Sequence, residues 1–425
     1  MQEEYLHYLF DTNSIGKSFT TVDGNSITVL NKGIHNHNAG PDFLEASVKY
    51  DKRKWYGHIE FHVKSSDWNK HNHQFDKNYN NVVAHFVYEH DLDIYVGQFK
   101  IPTIEIKNLV DHVHHENYLK FKNSNSWIPC EANIMANRIT EIGKFKTELI
   151  QQRFERKANS IINEIRERNG DRQHVFLLLI GRVFGSKVNQ QAFDDLIHKI
   201  ELNHLARLDY DMFKVEAYIF GLAGFLIEPF NGETYRLNLH QEFEYQKELF
   251  NLEELNVQIW KFSRMRPANF PTVRLAQFAA FLSEPNNLDN LKTNGNFEML
   301  NVRVSQYWQS HYHFGKASSP KRAELSNDFK NLLLINAYIP YHFAIGSLEE
   351  SVQVKENSIA VLHQLKKEKN NIIKRWELLE FSMSSAYDSQ ALLELKNSYC
   401  NHKKCLFCSI GNQLLNQANK NSDLK

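Results

Sequence analysis

Residues 58–64 alternate strictly, setting Ile59, Phe61 and Val63 on one side and His58, Glu60, His62 and Lys64 on the other, the period of a β-strand. Residues 82–88 are instead nearly continuous in apolar side chains, interrupted by His85, as expected of a strand covered on both faces. Strands are further expected over 26–30, 46–50, 56–64, 81–88 and 103–106, with a short helix over 3–10. From about residue 135 the period lengthens. Amphipathic helices are expected over 139–168, 173–184, 190–202, 212–226, 242–250, 272–282, 359–376, 391–397 and 413–419. The pattern therefore reads as an α+β chain: a mixed α/β domain over 1–110, a connector over 111–134, and a large, mainly α-helical region over 135–425.

Length and composition agree with more than one core. The chain has 425 residues, 42% hydrophobic and 12% aromatic, too long for one ordinary domain and too apolar for general disorder. Lysine plus arginine and aspartate plus glutamate number 50 each, so no global electrostatic footprint for nucleic acid exists, although a local basic groove is compatible with that balance. The start, Met-Gln-Glu-Glu-Tyr, is acidic where a secretory signal is basic. The most apolar stretches, 176–184 and 219–227, are too short to span a bilayer. A cytoplasmic location without a membrane partner is the expectation.

The candidate chemistry of the first domain begins at the turn Gly40-Pro41-Asp42 and continues on the alternating strand at Glu60. Two acids on neighbouring strands can share one hard divalent cation such as Mg²⁺ or Mn²⁺, with His62 or Lys64 placed to orient a water. The competing reading is that the Glu/His/Lys face is the solvated side of an antiparallel strand. His71, His73 and Asp76 form a second candidate, suited to Zn²⁺ and to a different metal-dependent hydrolase.

Arg264, Arg266 and Arg274 flank a proline-bounded turn before a helix, a pattern that fits phosphate. Cys400, Cys405 and Cys408 cluster within nine residues, and Cys130 is the remaining cysteine. Cys130 or His402 would complete a Zn²⁺ site, or Cys130 a four-thiolate iron–sulfur site.

The order of helix, strands carrying Asp42 and Glu60, polar crossover and buried strand resembles the PD-(D/E)xK nuclease core. That resemblance implies a restriction-endonuclease-like fold, Asp42 and Glu60 as metal ligands, Glu3 as a supporting acid, and nucleic acid as partner. Glu60-Phe61-His62 has histidine where the family carries lysine, and Lys64 lies two residues further on the same face. The departure leaves open a non-catalytic nucleic-acid-binding or scaffolding protein with a degenerate nuclease fold. Across nearly the whole chain the sequence also resembles an uncharacterised bacterial family, domain of unknown function 2851. That resemblance rests on Leu6-His7-Tyr8, Gly40 to Phe43, Gly57 to His62, Ser66-Asp67-Trp68, His71, His73 and His85. It continues through Phe220 to Gly224, Arg264 to Pro267, Asn269 to Pro271, Arg274 and the terminal cysteines.

Overall fold

A computed structural model of the chain describes residues 1–420 apart from 37, 140–141, 231, 295–299, 301 and 320–323. The chain forms two compact units, one of Met1–Ile142 with Leu395–Lys425 and one of Gly143–Glu394.

The first unit opens with α1 (Glu3–Asp11), whose acidic first turn suits the positive end of a helix and whose apolar side buries Tyr5, Leu6, Tyr8, Leu9 and Phe10. The strands are β1 (Ser18–Thr20), β2 (Ser26–Asn31), β3 (Ile34–His35), β4 (Phe43–Tyr50), β5 (Arg53–Lys64) and β6 (Val82–Glu89), then the small hairpin β7 (Tyr95–Val96) and β8 (Phe99–Lys100), and β9 (Thr103–Glu105). The main sheet runs β1-β2-β4-β5-β6-β9, with β3 beside β4. It is antiparallel as far as β5, then parallel from β5 to β6 and from β6 to β9. A parallel step needs a crossover. Here that crossover carries α2 (Asp67–Lys70) and two short turns, and it supplies the cover over β5.

Two cores result. On one side Phe10, Phe43 and Phe86 pack around Phe61 with ring centroids 5.0 to 5.6 Å apart. Each buried phenylalanine there stabilises the fold by about 1.5–3 kcal/mol. The second core gathers Trp68, Tyr79, Val82, Ile94 and Ile101. Strand β5 is thus covered on both sides, and Glu60 and His62 are 4% and 1% exposed. The solvated-face reading fails at these two positions because the crossover folds over them.

The units are cut at places other than the expected boundaries of 1–110, 111–134 and 135–425. Where a connector was expected stand α3 (His112–Asn123) and α4 (Glu131–Asn137). The Asp111 carboxylate caps α3 by accepting the Val113 and His114 N–H groups. The buried side of α3 is made of His114, His115, Tyr118 and Phe121, so a hydropathy pattern that counts histidine as polar does not register it. The Tyr5 hydroxyl lies 2.8 Å from His114 Nδ1, and the terminal helix Ser409–Lys420 packs on α3, with Tyr8 Oη donating to Asn412 Oδ1 at 3.1 Å. The last segment therefore belongs with the α/β domain.

The second unit is mostly helical. The helices expected over 173–184 and 190–202 are the two parts of Arg172–Ile197, separated by a kink with non-helical backbone at Ser186 and Asn189. The one expected over 359–376 divides into Val352–Gln364 and Asn371–Leu378, the second capped by Asn370, whose side chain accepts the Ile373 N–H. Arg182 ties two of the helices by binding Glu164 and Asp194 at 2.8 and 2.9 Å. Among the described residues no helix is long and apolar enough to cross a membrane.

Candidate metal centre

The turn before β4 sets the first acid. Gly40 takes φ +106, a conformation that favours glycine, and Pro41 leads directly into Asp42. Asp42 and Glu60 are then tied to one another's backbone across the sheet. The Phe61 N–H donates to Asp42 Oδ2 at 2.9 Å, and the Asp42 N–H donates to Glu60 Oε2 at 3.1 Å. From α1, His7 Nε2 approaches Asp42 Oδ2 to 3.1 Å without hydrogen-bond alignment. Burial and then the neighbouring Asp42 hold the Glu3 carboxyl above the usual carboxylate range.

The crossover delivers the imidazoles. Asn72 adopts the left-handed conformation (φ 64, ψ 26), which asparagine tolerates, and so reverses the chain between the end of α2 and the next turn. His71 and His73 thereby both face His62. His62 Nε2 lies 3.2 Å from His71 Nδ1, and each of the three rings offers a nitrogen within 4.8 Å of the other two. Glu60 Oε1 is 3.7 Å from His62 Nε2 and 3.5 Å from His73 Nε2. Behind them His85 Nε2 meets His62 Nδ1 at 2.8 Å, and His73 stacks on Tyr79 with centroids 3.8 Å apart.

Burial, and then the nearby Asp42, push the Glu60 carboxyl up to about 9, against the pull of the Asp42 N–H. Burial, and then the other imidazoles, push His62 down to about 2, and burial brings His85 down to about 3. The cluster therefore gathers acids that repel one another and, at His62 and His85, imidazoles held neutral, the state in which imidazole coordinates a metal. Its donor set fits a divalent cation, whose charge would invert that electrostatic logic.

The other expected site residues fall elsewhere. Lys64 is exposed at the end of β5, where its N–H donates to Asp67 Oδ2 and its charge acts on Asp91. Asp76 caps the next short turn by accepting the Asn78 N–H, so His71 and His73 join Glu60 and His62 rather than forming a site of their own. Arg264, Arg266 and Arg274 lie in the Gly143–Glu394 unit. Arg264 and Arg266 are exposed. Arg274 donates to Gln277 Oε1 and Asn269 Oδ1 and covers the Phe329 ring, and burial lowers it to about 10. Two residues of the cluster were not assigned from sequence. His7 and His85 appeared only among the residues that carry the family resemblance, His85 also as the interruption of the apolar strand 82–88.

The chain is thus a mixed α+β protein with a curled N-terminal sheet, a carboxylate–imidazole cluster centred on the buried Glu60 and His62, and a mostly helical remainder. It belongs to the family described as "Protein of unknown function (DUF2851)", whose model matches residues 3–371. The match takes in every residue of the cluster and stops before Cys400. No curated protein and no solved structure matches the chain.

Proposed function

We propose that the chain is a metal-dependent nuclease that hydrolyses phosphodiesters of DNA or RNA at the Asp42/Glu60 cluster. The observation that carries this reading is the pair of acids locked across β4 and β5 beside three imidazoles. Further support is the order of elements, α1, β4 with Asp42 at its head, β5 with Glu60, a polar crossover, and β6 parallel to β5. This is the order of the PD-(D/E)xK core, and it is the ground for naming a restriction-endonuclease-like domain.

A divalent cation held by Asp42 and Glu60 would supply Lewis acidity and a bound water acidified for attack on phosphorus. Within the chain, Asp42 and Glu60 provide anionic oxygen, with Glu3 as the supporting acid. His62 stands where lysine is usual and is fixed by His85, so a neutral imidazole is the group positioned to orient and polarise the attacking water. His71 and His73 add nitrogen donors at the rim. That mixture of nitrogen and carboxylate favours Mn²⁺ over the more strictly oxygen-seeking Mg²⁺. In the second unit, taken by itself, the turn carrying Arg264, Arg266 and Arg274 is a proposed phosphate-binding element.

The same imidazole trio also favours a second reading, a hydrolase of another substrate class that uses Zn²⁺. Incubation of the full chain with single- and double-stranded DNA and RNA, in parallel with Mg²⁺, Mn²⁺ and Zn²⁺, tests the first. Cleavage with Mn²⁺ that disappears in Glu60→Gln is the expected result. Tight metal binding with every nucleic acid left intact would overturn the nuclease assignment.

A further inference from the structure

The four cysteines take no part in the cluster above, and all belong to the first unit. Cys130 sits at the start of α4, Cys400 ends the turn 395–400, Cys405 opens a short turn, and Cys408 immediately precedes the terminal helix. All four are free thiols, and Cys130, Cys405 and Cys408 are buried. Every one of the six pairs interacts electrostatically: Cys130 with Cys405 and Cys408, Cys400 with the other three, and Cys405 with Cys408.

Their surroundings suit sulfur that carries charge. The backbone of Ile410 and Gly411 at the start of the terminal helix acts on the Cys408 sulfur. Gly411 is required at its position, because a Cβ there would meet the Cys405 carbonyl oxygen at 2.2 Å. Lys396 acts on Cys400, and Lys122 and Lys403 act on Cys405. Those ammoniums are held in place: Lys403 donates to the Lys122 carbonyl at 2.8 Å, and Lys396 covers the Trp127 ring at 5.2 Å. Four free sulfurs brought together from separate places in the chain form the kind of donor set that a thiophilic metal takes. His402 is exposed, which leaves Cys130 as the fourth ligand.

We propose that Cys130, Cys400, Cys405 and Cys408 together ligate one thiophilic metal centre. Among the described residues no three of the sulfurs lie within 4.8 Å of one another. A single zinc with bonds of about 2.3 Å sets its sulfurs roughly 3.8 Å apart, so the wider spacing fits the larger frame of an iron–sulfur cluster better. The proposal is independent of the nuclease reading.

The test is metal and acid-labile sulfide analysis, with absorbance spectra, of the full chain purified without oxygen. Iron and sulfide in whole-number ratio to protein, with visible absorption that bleaches on reduction, is the expected result. One tightly held zinc per colourless chain would support the same four-thiolate site and assign it to the single ion. Glu60→Gln should retain the metal in full, which separates this centre from the carboxylate cluster. Cys130→Ser and Cys408→Ser should each lose it. Because either variant can misfold, metal content is compared in the fraction whose circular dichroism matches wild type, and apo wild type is reconstituted alongside. Folded Cys130→Ser that keeps its full metal would overturn the proposal, as would a metal-free wild type with four freely titratable thiols that takes up neither zinc nor iron and sulfide.

Discussion

His62 Nδ1 lies 2.8 Å from His85 Nε2, and both rings are sealed from solvent. His85 thus sets the plane of His62 and leaves its other nitrogen facing His71 and Glu60. Such supporting partners commonly govern metal affinity by 10–100-fold. His85→Phe keeps an aromatic ring beside Trp68 but leaves His62 Nδ1 without a partner. Mn²⁺ affinity measured by calorimetry should fall by roughly 10-fold or more, with the circular dichroism unchanged. His85→Gln, which can still reach His62, should recover part of the loss. Unaltered affinity in His85→Phe would remove its positioning role.

Glu60 leads to an opposite pair of effects. Its carboxyl is buried beside Asp42 and raised to about 9, so its charge is costly in the metal-free fold. Glu60→Gln should leave the metal-free melting temperature equal or higher while Mn²⁺-dependent cleavage falls by about 100-fold or more. Persistent cleavage would place the chemistry at other residues.

In the second unit Glu216 is fully buried and accepts a hydrogen bond from Tyr235. Burial raises its carboxyl from 4.5 to about 7. The folded state therefore binds this proton more tightly than the unfolded state, and stability falls as pH rises between those two values. Glu216→Gln removes that slope and should be the more stable protein at pH ~8, by about 3 kcal/mol at 1.36 kcal/mol per unit. Urea titrations of both proteins at pH ~5 and ~8 provide the check, and parallel pH profiles would refute the assignment.

Gly57 marks a close approach rather than a turn. A Cβ there would meet the Asn81 carbonyl oxygen at 2.1 Å, where the His58 N–H donates to that same oxygen at 2.9 Å. Gly57→Ala should cost about 1–3 kcal/mol of stability. It should also weaken Mn²⁺ binding, because Glu60 and His62 follow on the displaced strand. A variant as stable as wild type in urea would show that the strands part without penalty.

Period-two alternation at 58–64 was enough to place β5 and to put Glu60 and His62 on one side. What it did not reveal was the cover. Whether a polar strand face meets water depends on where the crossover goes, and that is decided by Trp68 of α2 and Tyr79 packing with Val82, Ile94 and Ile101, contacts between residues far from any repeating pattern. His71 and His73 were legible as metal donors but not as partners of His62, since their convergence rests on one left-handed residue, Asn72. The connector was misread for a related reason: the side of α3 that faces inward is made of histidine and tyrosine. The break near Ser186 falls in the gap expected between 184 and 190, whereas the break between Gln364 and Asn371 escaped notice because Leu362, Ile373 and Trp376 carry the apolar period across it.

The first unit is interrupted in sequence by the whole of the second. A ribosome therefore completes Gly143–Glu394 while the α/β body still lacks its last helix, and that body must wait for its final partner. Sheet and acids can assemble early, but Cys130 meets Cys400, Cys405 and Cys408 only once that last segment has emerged. Any product ending between the units would carry the acids and histidines of the candidate centre without the clasp that closes α3.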